Sequence, residues 1–177
     1  NATNLANYTV WFGHYPIAAI NSPIPGLMEV VNGPYLSGHI HQTQLYYLQP
    51  RGFLDIEVAD WRAKRIFRLA AIDHGLFSFE DFHFPTWPLI LITNPKDHKF
   101  SMPQLENLHL IARSSHIRVL VFSTSSIVSV TASIDGGQWL EMHSSDEKSP
   151  LHVLPWRASD FKEGLHTLHI KAVDALG

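Results

Sequence analysis

The chain has no cysteine. That excludes a disulfide framework, a thiolate nucleophile and any zinc site built on sulfur, so a metal here falls to His, Asp, Glu or Asn. It also lacks a basic excess: 13 Lys and Arg stand against 16 Asp and Glu, for a net charge of −3. A nucleic-acid footprint needs the opposite balance, so no nucleic-acid partner is expected. No apolar run reaches about 18 residues, so no segment is expected to span a bilayer. No secretory signal is visible. P-loop, dinucleotide-binding and nucleophile-elbow motifs are missing, which removes the NTPase, Rossmann and serine-hydrolase readings as far as motifs can. What is present is a globular composition, 177 residues with 45% apolar and 16% charged, enough for one domain or two small ones. The unusual quantity is histidine, with 12.

The chain opens on Asn1 rather than Met, which reads as a piece of something longer, soluble as it stands. Asn1-Ala2-Thr3 and Asn7-Tyr8-Thr9 are glycosylation sequons that would mark a glycoprotein. Asn7 is expected to run straight into a strand, which hinders its modification.

Tyr8 to Phe12 reads as a short buried strand with both faces apolar, ended by Gly13. Ser22-Pro23-Ile24-Pro25-Gly26 opens a short helix through Leu27, Met28, Val30 and Val31, closed by Asn32-Gly33-Pro34. Tyr35 and Leu36 form a second brief strand, and strand, helix, strand is the cadence of an α/β unit. Phe53 to Val58 alternates, with Leu54, Ile56 and Val58 on one face and Asp55 and Glu57 on the other. Residues 60–64 predict a turn leading to a strand over 65–72, the two strands pairing as a hairpin. Residues 77–84 alternate aromatic with polar.

Pro85-Thr86-Trp87-Pro88 breaks the composition, and a domain boundary is expected there, giving units 1–84 and 85–177. The second unit predicts strands over 89–93, 117–122, 127–134, 151–154 and 166–173. Residues 96–107 read as polar loop. Asp135-Gly136-Gly137-Gln138 is a strong hairpin turn, because glycine adopts φ > 0 cheaply. Short strands spaced by turns predict an antiparallel sandwich, the better independent folder of the two units. In 127–134, Val128, Val130, Ala132 and Ile134 are expected on one face.

Two motifs carry chemistry. Gly13-His14-Tyr15-Pro16 and Gly38-His39-Ile40-His41 each follow a strand, at the carboxyl ends where open α/β sheets place ligands. Gly13 and Gly38 would permit tight turns that re-aim the next side chain. In His39-x-His41 alternate residues point the same way, so two imidazoles reach one site, and neutral imidazole is a common metal ligand. Asp73-His74 has the makings of an acid/base pair, but neighbours on a strand face opposite ways. Asp81-Phe82-His83 lies in an alternating strand and reads as structural.

These two histidine motifs resemble the last two motifs of calcineurin-like metallophosphoesterases. The stretches Leu54 to Trp61, Arg65 to Arg68, Asp73 to Phe79, Trp87 to Lys96 and Ser115 to Leu120 are similar to metallophosphoesterases of the transmembrane protein 62 type. The resemblance implies that 1–84 is an α/β fragment, the C-terminal half of a phosphoesterase β-sandwich flanked by helices. It implies an all-β immunoglobulin-like domain over 85–177 and membrane spans beyond it. It further implies two divalent metal ions in the parent (Mn, Fe or Zn), with His14 and His39 on one and His41 on the other. A phosphoester is then the substrate, and a secretory-pathway membrane is a fitting location for the parent. The family's Asp-x-His, Gly-Asp-x-x-Asp and Gly-Asn-His motifs do not stand before His14. The piece alone is therefore expected to be inactive. The competing reading is a noncatalytic scaffolding module that keeps a phosphoesterase remnant.

Overall fold

The computed structural model describes residues 7–20, 26–42, 45–144, 146 and 148–177. Asn1 and the expected helix opening at Ser22 to Pro25 lie outside them. Asn7 is exposed in a bend, short of the first strand.

The chain begins with a mixed sheet. Strands β1 (Trp11–Phe12) and β2 (Tyr35–Ser37) are parallel, β3 (Tyr46–Leu48) is an antiparallel edge, and β4 (Leu54–Glu57) lies between β2 and β3. The α/β expectation for this part holds only in the parallel pairing. Helices α1 (Leu27–Val30) and α2 (Trp61–Lys64) span four residues each, and the described residues form no helical layer over the sheet. Proline and glycine at 16, 33 and 34 leave the connections too interrupted for longer helices. β1 is also not buried on both faces, since Phe12 is 75% exposed at the sheet edge.

Residues 61–64 are helical rather than a hairpin turn. The Asp60 carboxylate accepts from the Ala63 N–H at 3.1 Å as an N-cap, and Arg65 ends the helix at φ 53°. With both edges of β4 occupied, the next strand pairs elsewhere. β5 (Ile66–Asp73) joins β6 (Leu76–His83) across His74-Gly75, whose φ values of 51° and 81° suit a two-residue hairpin turn. Arg68 grips Asp81 across this hairpin through two 2.7 Å bonds and donates to the Glu57 carbonyl at 2.8 Å. Asp81 is thereby committed to structure.

The second part is a sandwich. β7 (Leu89–Asn94), β8 (His116–Phe122), β11 (His143–Ser144) and β12 (Leu151–Pro155) make one sheet, in the order β11-β12-β8-β7. β9 (Ile127–Ile134), β10 (Leu140–Glu141) and β13 (Leu168–Asp174) make the other, in the order β10-β9-β13. Every pairing is antiparallel, and the order is that of an immunoglobulin-like domain. Alternation places Ile117, Val119 and Val121 inward from β8 and Val130 and Ala132 inward from β9. Val128 does not join that face, being 65% exposed. The Asp135-Gly136 turn forms as read, with φ of 53° and 70° and a 2.9 Å bond from Gly137 N–H to Ile134 O.

Residues 97–106 are not simple loop. After a 3-10 turn at His98–Phe100 they return to the first core, where Met102 is fully buried beside Tyr35, Phe53 and Ile56. There Glu106 accepts from the Lys96 ammonium at 2.6 and 2.7 Å and from the amides of Phe77 and Met102 at 2.8 and 2.9 Å. Both charged side chains are essentially out of water, at 1% and 0% exposure. Helix α3 (His109–Arg113) then leads into β8. A second tie runs from hairpin to sandwich: Asp73 accepts from Arg118 at 2.7 Å and Thr93 at 2.8 Å. Burial pushes the Asp73 carboxyl up, yet hydrogen bonds from Arg118, His74 and Thr93 outweigh it and hold it below its usual range. His74 folds back onto the same carboxylate, Nδ1 at 2.5 Å, because its left-handed turn conformation breaks the strand alternation.

Candidate functional site

Parallel pairing brings the ends of β1 and β2 level, Trp11 beside Tyr35 and Phe12 beside Leu36. The two glycine-histidine loops therefore leave the sheet side by side. Gly13 N–H donates to Leu36 O at 3.0 Å and Gly38 N–H to His14 O at 3.1 Å, so each loop is tied to its neighbour. The glycines differ in role. A Cβ on Gly13 would lie 1.7 Å from the Tyr35 hydroxyl oxygen, so only glycine lets that ring pass. Gly38 has open space around it, and neither glycine has a left-handed φ, so the tight turns expected to need them are not seen.

His14 and His39 meet, with Nε2 of one 3.2 Å from Nδ1 of the other and ring centroids 5.1 Å apart. Tyr15 lies against both rings, at 4.8 and 4.4 Å between centroids. Its carbonyl accepts from the Tyr35 hydroxyl at 2.9 Å. The His41 ring lies toward Asp60, Nδ1 to Oδ2 3.9 Å, and the His41 backbone is left-handed at φ 63°. All three rings are exposed at the end of the sheet.

Beneath the loops lies a buried acid pair that the alternation of Phe53 to Val58 placed on the opposite, polar face. Asp55 and Glu57 are each 2% exposed, because β4 is covered on both faces. Asp55 accepts from the Ile17 amide at 2.9 Å and so fixes the chain just past His14. Glu57 accepts from the amides of Ile40 and His41 and so fixes the second loop. The Ser37 hydroxyl donates to Glu57 at 2.8 Å and lies 3.5 Å from Asp55, bridging the two. Burial pushes the Asp55 carboxyl up, against the Ile17 and Ser37 hydrogen bonds, and the Glu57 charge adds to the rise. The signal available in sequence was two carboxylates on one strand next to two glycine-histidine loops.

Neutral imidazole nitrogens are the kind of ligand that borderline divalent ions such as zinc take. Two nitrogen ligands of one tetrahedral zinc-like ion sit about 3.3 Å apart, close to the 3.2 Å between His14 and His39. No group of three or more His, Asp or Glu is gathered for a metal among the described residues. The 3.2 Å contact is a hydrogen bond between the two rings, so a shared ion would need both nitrogens to turn outward, and His41 is not gathered with them.

A family model, the TMEM62 Ig-like domain, matches residues 84–177. The chain is 40% identical over 97% of its length to Transmembrane protein 62 of Mus musculus, and covers 28% of that protein. It is 33% identical over 71% of its length to an Arabidopsis thaliana protein provisionally named a metallophosphoesterase, covering 20% of it. No solved structure matches. The fold defines a mostly β protein with an immunoglobulin-like domain, and the chain belongs to the TMEM62 family. It spans under a third of the relatives it matches. No helix among the described residues is long and apolar enough to cross a membrane.

Proposed function

We propose that this chain carries the histidine-bearing end of a metal-dependent phosphoester hydrolase, residues 1–84, joined to an immunoglobulin-like domain over 85–177. The parent is a longer protein anchored in a membrane, in keeping with the name of its mouse relative. The observation that supports the reading most is the contact of His14 with His39 at the carboxyl ends of adjacent parallel strands. In this reading His14 and His39 hold one divalent ion and His41 the other, with manganese, iron or zinc as candidates. Such ions supply Lewis-acid activation of a water and of the phosphoryl oxygens. The chain's own contribution is to aim the imidazoles: Asp55 and Glu57 hold the two loops, and Tyr15 packs against the pair. The phosphoesterase relative, provisional in name, supports a phosphoester as substrate class. The chain alone has no turnover.

The experiment is zinc titration by calorimetry of the 177-residue chain, with hydrolysis of a generic phosphoester by the full-length protein alongside. Binding that H14A and H39A each abolish, and full-length activity lost in the same variants, are the expected results. A full-length protein that hydrolyses no phosphoester and binds no metal overturns the reading. It then leaves a noncatalytic scaffold, which the turn of His41 toward Asp60 favours.

A further inference from the structure

From Trp61 to Ile72 the sequence carries four basic residues and no acidic one, in a chain whose net charge is −3. Arg68 is committed to Asp81 and to the Glu57 carbonyl. Arg62, Lys64 and Arg65 are exposed, and none of the three has an ion-pair partner among the described residues. Lys64 donates to the His41 carbonyl at 2.8 Å, which satisfies a proton without cancelling the charge. The Arg65 guanidinium lies 5.5 Å from the centre of the Trp61 ring, which also leaves its charge intact. Asp60, the carboxylate that feels the Lys64 charge, is held by the amides of Ala63 and Arg62 at the start of α2.

Beside these cations stands a cluster of aromatic rings that belongs to neither core. β5 and β6 form a two-stranded sheet of their own, with Phe67 opposite Phe82 in register, so those two rings share one face at 6.0 Å between centroids. Trp61 reaches them from α2, 6.2 Å from Phe67 and 5.6 Å from Phe84. Trp61 is 47% exposed and Phe84 50%. Such rings gain by leaving water, but an apolar protein surface laid over them would also strip water from three unpaired charges. The headgroup region of a bilayer takes both at once. Rings settle at the boundary of headgroup and acyl chain, and the cations stay among lipid phosphates and carboxylates.

We propose that α2 and the adjoining end of the β5–β6 hairpin form a docking face for a lipid surface that carries anionic headgroups. Trp61 and Phe84 enter the interface, and Arg62, Lys64 and Arg65 pair with the headgroup charge. The face contacts the His41 loop through Lys64, yet it needs neither metal nor hydrolysis. It therefore stands or falls separately from the phosphoesterase reading.

The test is cosedimentation of the 177-residue chain with vesicles of phosphatidylcholine, alone or with about 30% phosphatidylserine, at about 50 and about 500 mM salt. The chain is expected to bind the anionic vesicles, at least about fivefold less at the higher salt, and to leave the neutral ones alone. Arg62→Gln combined with Lys64→Gln is expected to weaken binding by about tenfold or more, each basic residue at such a surface being worth roughly fivefold. Trp61→Ala and Phe84→Ala weaken it too, whereas Trp139→Ala, which removes an exposed ring outside the patch, does not. Trp61→Phe keeps a ring in place, so it retains binding but loses most of the quenching of tryptophan fluorescence by brominated lipid. No binding to either vesicle, equal binding to both, or binding that Trp139→Ala reduces as much as the patch variants overturns the proposal. So does a chain that ignores vesicles and forms a dimer that Trp61→Ala dissolves, since the occupant is then a second copy.

Discussion

At the scale of single residues, His166 shows what proximity alone decides. Its Nδ1 lies 2.6 Å from the Asp135 carboxylate and its Nε2 lies 2.7 Å from Lys162 O. Both ring nitrogens face acceptors, so both are satisfied as donors only in the cationic ring. The hydrogen bond to Asp135, then that to Lys162, raises the imidazole above its usual 6.5, while the same bond lowers Asp135 below its usual 3.8. The raised histidine contributes stability that is complete below pH 6.5 and is lost as pH rises through its folded value. The lowered aspartate contributes above pH 3.8 and is lost as pH falls through its own. The pair is therefore whole between those limits. An NMR titration of the His166 ring is expected to show a midpoint above 6.5, returning to the ordinary value in Asp135→Asn. A midpoint unmoved by that substitution refutes the pairing. The contribution to global stability is small, since both groups meet solvent. No metal-holding group gathers around His166 among the described residues, and its partner lies 31 residues away, beyond any local pattern. Lys96 and Glu106 escaped notice for a similar reason. A polar, proline-bearing stretch looks solvated until tertiary structure encloses it.

At the scale of elements, most strands were legible and their partners less so. The alternation of 117–122 and 127–134 and the Asp135-Gly136 turn gave the sandwich, because those strands have one wet and one dry face. β10 and β11 are two residues each, too short for a period. The mistaken hairpin between 53–58 and 65–72 came from adjacency. The two-residue loop His74-Gly75 specifies the actual partner, with histidine in the position asparagine usually fills. The site was half legible. Motif spacing brought out His14 and His39, while the acid pair below them was hidden, because a strand covered on both faces defeats the rule that polar residues face water. The two glycines separate conformation from contact. Gly13→Ala places a carbon where the Tyr35 hydroxyl sits, so the ring must move and release Tyr15 O. It is expected to cost about 1–3 kcal/mol in urea unfolding. Gly38→Ala meets nothing, and is expected to stay within about 0.5 kcal/mol of the parent. Equal losses in the two variants contradict the packing described.

At the scale of the whole molecule, a composition break near residue 85 suggests two separable units, but the structure laces them together. Phe100 and Met102 pack with the first core, although they follow β7 in the chain. Glu106 takes the Phe77 amide, and Asp73 takes Arg118. A fragment of residues 85–177 keeps both sheets of the sandwich and loses those partners. Its β8 and β9 amides are expected to remain protected while residues 97–106 exchange freely, with each orphaned polar group costing about 1–3 kcal/mol. Hydrogen exchange checks this, and full protection of 97–106 in the fragment would show that the lacing is not needed.

The same lacing sets an order of events during synthesis. Ribosomes deliver the chain from its N-terminus at about 5–20 residues per second. The mixed sheet is made first, yet the methionine that completes its interior is residue 102, downstream of β7. The nascent N-terminal half must therefore wait, partly unsealed, until the first strand of the following domain has left the exit tunnel.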